Sequence, residues 1–234
     1  VIHLAWQDIP KFSLSTCLTN LQNSLNFFDS LLEIDNCKKI LVAGSCWEVN
    51  KNKGECLETE IGSQRDHFTW AKQSLRNWLE LETSKKGVIL GWIRIFYVYG
   101  PMQREASLLP TILSELKKRK LPRIKNLHNA NDFVFIDDVA SGFVRAVEHK
   151  SPNGIFHLGS GYSTKISHIC YLAEQIVWGN TTLTAKLLEM YPDKSQSEVN
   201  FWANCERSYQ LFGWTPQTSL QKGIQKTKDW IYSL

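Results

Sequence analysis

The 234-residue sequence predicts an α/β fold built on a parallel sheet, and three observations lead there. Apolar runs of strand length alternate with segments of helical periodicity, the signature of βα units. The run "KKILVAGSC" is a continuous apolar strand ending in small residues. The length suits one large domain, or a domain with a smaller lobe, and is enough to bury a sizeable core.

The elements follow in order. "VIHLAW" reads as a first buried strand. "LSTCLTNLQNSLNFFDSLLEI" is a helix with Leu18, Leu21, Leu25, Phe28 and Leu32 at helical spacing. After the strand "KKILVAGSC", the polar "WEVNKNKGECLETEIGSQRD" reads as a loop over the strand ends. A helix through "HFTWAKQSL" comes next, then the strand "GVILGWIRIFYVYGP", which Gly100-Pro101 terminates. "SLLPTILSELKKRK" is an amphipathic helix and "NDFVFI" a short strand. "DDVASGFVRAVEH" is a helix with acidic residues at its start, favourable to the dipole. "NGIFHLGSG" is a strand and glycine turn, and "TKISHICYLAEQIV" and "SLQKGIQKTKDWIYSL" are the last helices.

Composition excludes several classes. Hydrophobic residues at 43% against 21% charged describe an ordinary globular chain, not a disordered one. No apolar run reaches the roughly 18 residues of a membrane span. The opening "VIHLAWQDIP" lacks the basic region of a signal peptide. The expected compartment is therefore cytoplasmic, with no membrane partner. Six scattered cysteines without a CxxC pair predict reduced thiols and no metal site. The one concentrated basic run, Lys117 to Lys125, reads as the solvated end of a helix, and no nucleic-acid partner is expected.

In order along nearly the whole chain, "VIHLAW", "NLQNSLNFF", "GSCWEVN", "FTWAK", "RIFYVYGP", "NDFVFIDDVA", "GIFHLGSG" and the C-terminal "ANCERSYQLFGWTPQTSL" resemble the extended short-chain dehydrogenase/reductase family, specifically its nucleotide-sugar epimerases and dehydratases. Each motif is weak alone; the ordered set is specific. The resemblance implies a Rossmann-like parallel sheet with a smaller C-terminal lobe for the nucleotide sugar. Residues 1–100 would be the remainder of the NAD-binding domain and 101–234 mainly the substrate lobe, with interleaved elements. It also implies NAD or NADP as cofactor, a nucleotide-sugar substrate and a homodimer. In that family a glycine-rich turn at a helix N-terminus holds the pyrophosphate. The sequence contains no GxxGxxG, and "VIHLAW" matches a strand normally about 60 residues or more into the fold. The expectation is a piece lacking the first βαβ portion, one that binds the dinucleotide poorly.

The family's reaction begins with hydride transfer from the sugar to the nicotinamide. A tyrosine takes the hydroxyl proton, and a lysine four residues later, one turn along the same helix face, lowers the tyrosine pKa and binds the cofactor ribose. By resemblance Lys72 takes the lysine position and Phe68 that of the tyrosine. Cys46 takes the assisting hydroxyl position, with Ser45 as the alternative. Phe68 has no proton to exchange, so His67, Cys46 and Tyr97 are the candidate replacements. Leu4, Ala5, Trp6, Lys72 and Tyr97 would border the cofactor; Tyr97, Gln103, Arg104, Ser107, Leu108 and Asn131 would border the substrate. Asn131 stands where the family has a diphosphate-binding arginine, a loss that Arg104 or the Arg123/Lys125 pair would offset. Asp132, Asp137 and Asp138 read as a turn and a helix cap, and Arg94 as a strand-end ion-pair residue. The leading expectation is an NAD-dependent epimerase or dehydratase acting on a nucleotide-activated sugar by transient hydride transfer. The alternative is a catalytically inactive nucleotide-sugar-binding or scaffolding relative.

Overall fold

The computed structural model describes every residue except 35, 123, 125, 193–198 and 234. The Arg123/Lys125 pair therefore lies outside the described residues. The chain runs β1 (Ile2–His3), α1 (Leu14–Leu32), β2 (Lys39–Ser45), a 3-10 helix (Cys46–Val49), β3 (Lys53–Cys56), α2 (His67–Lys86), β4 (Ile89–Ile95) and β5 (Tyr97–Tyr99). It continues with α3 (Leu108–Lys117), β6 (Ala130–Asn131), β7 (Phe133–Phe135), α4 (Ile136–Glu148), β8 (Gly154–Leu158), β9 (Thr164–Lys165) and α5 (Ile166–Trp178). It closes with α6 (Thr182–Met190), β10 (Asn200–Ala203), α7 (Glu206–Phe212) and α8 (Leu220–Ser233).

The main sheet is parallel, in the order β1-β2-β4-β8. A second sheet, β3-β10-β6-β9, has one antiparallel pair, β6 with β9, and a third joins β5 to β7 in parallel. The fold is α/β on a parallel sheet, as the alternating pattern predicts, and Rossmann-like, as the resemblance implies. Several elements differ from the sequence expectation. The strand in "VIHLAW" is a two-residue edge with Val1, Ile2 and Leu4 exposed, because among the described residues it pairs with β2 alone. "GVILGWIRIFYVYGP" divides at Phe96, whose N–H bonds Leu158 O, so that β4 and β5 belong to different sheets. "NDFVFI" likewise divides at Asp132. The loop after β2 contains β3, a strand of polar residues created by pairing with β10 far along the chain. On α1 the buried face is Cys17, Asn20, Ser24, Phe28 and Leu32, while Leu18 points to solvent.

The local signals that start the two site-bearing helices are ordinary ones. Ser13 accepts from the Thr16 amide at the start of α1. Asp66 and Thr69 form a reciprocal capping box at the start of α2, which ends on Gly87 in the left-handed conformation.

Between α2 and the sheet lies the feature that fixes the geometry around it. The Glu48 side chain is fully buried. Its carboxylate accepts from the Ser45 amide (2.7 Å) and from Trp92 Nε1 (2.9 Å). The guanidinium groups of Arg76 and Arg94 lie 3.6 and 3.8 Å from Oε2 and are themselves buried. The 3-10 helix, α2, β2 and β4 are thus joined through one side chain. Gly44 is required beside it, because a Cβ there would stand 2.4 Å from Trp92 Nε1 and 2.8 Å from Glu48 Oε1. Arg94, expected as a strand-end ion-pair residue, is next to last in β4 and pairs with Glu48; it is wholly interior and also donates to Glu60 O.

The second region is tied by two aspartates. Asp132, buried, accepts from the Ser160 amide and hydroxyl on Oδ1 and from the Gly161 and Ala203 amides on Oδ2. Asp138 takes the amides of Gln217 and Thr218 rather than capping its own helix, and Trp214 donates to Asp138 O. The N-cap position of α4 is Phe135, which supplies no side-chain bond. Asp137, exposed, pairs with Lys226. No helix among the described residues is long and apolar enough to cross a membrane.

Two substitutions test these anchors. Glu48→Gln keeps the shape but removes the charge facing two buried guanidinium groups. It should lower unfolding free energy by about 3–5 kcal/mol, read as a fall in the urea midpoint. Asp132→Asn turns an N–H₂ toward amides that need an acceptor and should cost about 2–4 kcal/mol in the same assay. A loss below 1 kcal/mol in either would refute that anchor.

Candidate active site

The site region is built where the C-terminal end of β2, the 3-10 helix and the first turns of α2 meet. Lys72 stands on the buried face of α2 and is 5% exposed. Its Nζ donates to Ala43 O at 2.8 Å and lies 4.4 Å from the centre of the Trp6 ring. Burial lowers the Lys72 pKa to about 8, against the opposing field of Glu48. The ammonium therefore faces inward, toward the strand end that carries Ser45 and Cys46.

Phe68, one turn before Lys72, is 7% exposed and belongs to a closed group of rings. Its centroid is 4.6 Å from Phe12, 5.1 Å from Trp6 and 6.1 Å from Trp47. The Trp6 and Trp47 contacts are edge-on, a favourable quadrupole arrangement. Phe12 also meets Trp47 edge-on at 5.6 Å, and the Arg65 guanidinium covers Trp47 at 5.4 Å. Trp47 Nε1 donates to Tyr97 Oη at 3.2 Å.

The groups that could stand in for a phenol have distinct environments. Ser45 Oγ accepts from the Trp47 amide and caps the 3-10 helix. Cys46 is buried, and desolvation raises its thiol far above the ordinary range. Burial, with Cys46 nearby, raises the Tyr97 phenol to about 12. His67 opens α2 on its exposed side.

Elsewhere the predicted border residues are spread out. Leu4 and Ala5 are exposed just beyond β1. Gln103 donates to Val98 O, and its Oε1 is buried without a partner. Arg104 donates from Nη1 to Ile9 O at 2.8 Å. Ser107 precedes α3 without a side-chain capping bond, and Leu108 packs half-buried against the core beneath that helix. Asn131 is buried, with Oδ1 unpartnered among the described residues. The structure thus brings Lys72, Phe68, Ser45, Cys46, Trp6 and Tyr97 into one neighbourhood, with Arg104 reaching it through Ile9. Surface cavities lined by Glu80 and Trp92, by His168 and Tyr171, by Gln103 and Trp230, and by Asn204 and Pro216 include neither Lys72, Cys46 nor Phe68.

Sequence reasoning missed three contributors: Glu48, Phe12 and Asn20. Glu48 had a signal, since Ser45-x-x-Glu48 has capping-box spacing. Asn20 opens the motif "NLQNSLNFF" but its role there was not read, and Phe12 had no signal, because its importance depends on how the loop after β1 folds back.

For a nicotinamide dinucleotide, the residues that would hold its ribose do not offer a free surface as they stand. The Trp6 indole covers the Lys72 ammonium, and one of its donors is spent on Ala43 O. No group of three His, Cys, Asp or Glu among the described residues is placed to hold a metal ion.

Comparison with known proteins gives the same lineage. Residues 1–159 match the NAD dependent epimerase/dehydratase family. The chain is 25% identical over 239 residues to dTDP-4-dehydro-6-deoxyglucose reductase of Escherichia coli, covering 97% of this chain and 72% of that protein. UDP-glucose 4-epimerase of Thermotoga maritima, solved with UDP-glucose, superposes with a TM-score of 0.82 at 21% identity, covering 100% of this chain and 77% of that one. A tyrosine-to-phenylalanine mutant of UDP-glucuronic acid 4-epimerase from Bacillus cereus, in complex with UDP-4-deoxy-4-fluoro-glucuronic acid and NAD, superposes with a TM-score of 0.77 at 19% identity, covering 99% and 75%. The ordered motifs, the parallel sheet and the family match agree: this chain belongs to the NAD dependent epimerase/dehydratase family.

Proposed function

We propose that the protein recognises a nucleotide-activated sugar and does not itself oxidise it. One observation carries this reading: the position resembling the family's proton acceptor is a phenyl ring, without an exchangeable proton, packed among three others. Removing hydride from a carbinol carbon requires the hydroxyl proton to leave in the same step. The Cys46 thiol and Tyr97 phenol are raised away from neutrality, and the His67 side chain is exposed. Lys72, near neutral pKa, is committed to Ala43 O and the Trp6 face.

Recognition is supported by the family and by its named members. A structural neighbour that carries a tyrosine-to-phenylalanine substitution was captured with both a sugar nucleotide and NAD, which supports recognition without that hydroxyl in this fold. In this reading Tyr97, Gln103, Arg104, Ser107, Leu108 and Asn131 border the sugar nucleotide. Lys72, Leu4, Ala5, Trp6 and Tyr97 would border a nicotinamide cofactor, NAD or NADP, with the Trp6 indole turned off the Lys72 ammonium. Two copies pair through the outer faces of α1 and α2, where Leu14, Leu18 and Leu81 are exposed.

Titration calorimetry with UDP-, GDP-, CDP- and dTDP-sugars should give saturable binding to at least one series. With NAD binding first verified by calorimetry, absorbance of NADH should not rise, whereas Phe68→Tyr should produce it. Sugar-dependent NADH formation by the unsubstituted protein would overturn the inactive half of the proposal; failure of every sugar nucleotide to bind would overturn the other half. Sedimentation velocity at micromolar concentration should report a dimer, and a monomer there would remove the pairing.

A further inference from the structure

The loop Trp6–Phe12 makes contacts that neither the resemblance nor the proposed function explains. Its two ends are aromatic anchors: Trp6 lies over the Lys72 ammonium at 4.4 Å, and Phe12 packs on Phe68 at 4.6 Å. Between them the backbone is tied at two points. The Gln7 amide donates to Asn20 Oδ1 (2.6 Å), and Asn20 Nδ2 returns to Gln7 O (3.2 Å). Ile9 O accepts from Arg104 Nη1 at 2.8 Å. The intervening side chains of Gln7, Asp8, Ile9, Pro10 and Lys11 are exposed. Asp8 holds a left-handed backbone, φ 62°, and a turn closes with Lys11 N donating to Asp8 O.

One short segment therefore engages Lys72, which the resemblance places at the cofactor ribose, and Arg104, which it places at the substrate. The indole face takes the ammonium, and a neutral carbonyl takes the guanidinium where an anionic oxygen would form the stronger, charge-assisted bond. The phenyl of Phe12 fills the space over the third site position. Such a segment, exposed on its outer side and held by two backbone ties, belongs to the parts of a protein that open locally before the core does.

We propose that Trp6–Phe12 is an autoinhibitory strap: it lies across the seam between the cofactor and nucleotide-sugar positions, covering Lys72 on one side and holding Arg104 on the other, and must lift for ligand to enter. This rests on the nucleotide-sugar reading above. Apparent affinity is then the intrinsic affinity multiplied by the fraction of molecules with the strap open. The competing species is the protein's own indole and carbonyl, so weakening either anchor raises that fraction.

The experiment uses Phe12→Ala and, should that variant not fold by circular dichroism, Phe12→Leu, which keeps apolar contact with Phe68 but loses the ring. Two readouts are taken. The first needs no ligand: a small N-hydroxysuccinimide ester is applied, and acylation of Lys72 is quantified by peptide mass spectrometry, with the exposed Lys85 as internal control. Lys72 should react about tenfold faster in the variant than in the unsubstituted protein. The second is calorimetric affinity for the UDP-, GDP-, CDP- and dTDP-sugars, expected to tighten by about the same factor, with saturating ligand protecting Lys72. Equal Lys72 acylation in both proteins overturns the strap. So does equal affinity, which would leave the recognition proposal intact because the unsubstituted protein still binds. If neither protein binds any sugar nucleotide, recognition and strap fall together, and that result is distinguishable from loss of the strap alone.

Discussion

The buried carboxylate of Glu48 is the constraint on which the site region depends. A carboxylate inside a protein is tolerated only if hydrogen bonds and counter-charges replace its water. Here an amide from the end of β2, an indole from β4 and guanidinium groups from α2 and β4 do so. Burial still pushes the Glu48 carboxyl upward, while Arg94, the Ser45 amide, Lys72 and Arg76 pull it back. Because the partners come from separate elements, satisfying one side chain sets the depth of α2 against the sheet. Lys72, one turn before Arg76 on α2, inherits its inward direction from that arrangement.

Position 68 holds a phenyl where the resemblance implies a phenol. A phenol there would need a partner for its hydroxyl; a phenyl needs only apolar neighbours. Trp6, Phe12 and Trp47 supply them, and their edge-on contacts add to the area they bury. The nearby ammonium is left with one backbone acceptor and an aromatic face, an environment that keeps a cation but lowers its pKa. A region expected to be polar and open has become ring-packed, and the loop after β1 is drawn in by that packing.

Much of this was legible in the residues themselves. The helix through Lys72 follows from its capping signals, Asp66 before it and Gly87 after it. The continuous apolar β2 follows from its composition. The ordered motifs pointed to the lineage before any coordinates. Three kinds of feature were not legible. β3 is polar and short, so it exists only because β10 pairs with it. The break at Phe96 depends on a hydrogen bond to Leu158, far away in sequence. Asp138 looks like a helix cap by position, yet it serves a turn nearly 80 residues later.

By itself the sequence determined the alternation of strands and helices, the register of Phe68 and Lys72 on one helix face, and the absence of an ionisable group at position 68. These follow from periodicity and residue chemistry, which are local. Only the tertiary structure decided which partners each polar group obtained. It gave Glu48 its cations, turned the Lys72 ammonium under Trp6, and tied Arg104 to Ile9 O. Those choices depend on contacts between segments far apart in the chain, where the cost of burying a charge is settled by geometry that no short stretch encodes.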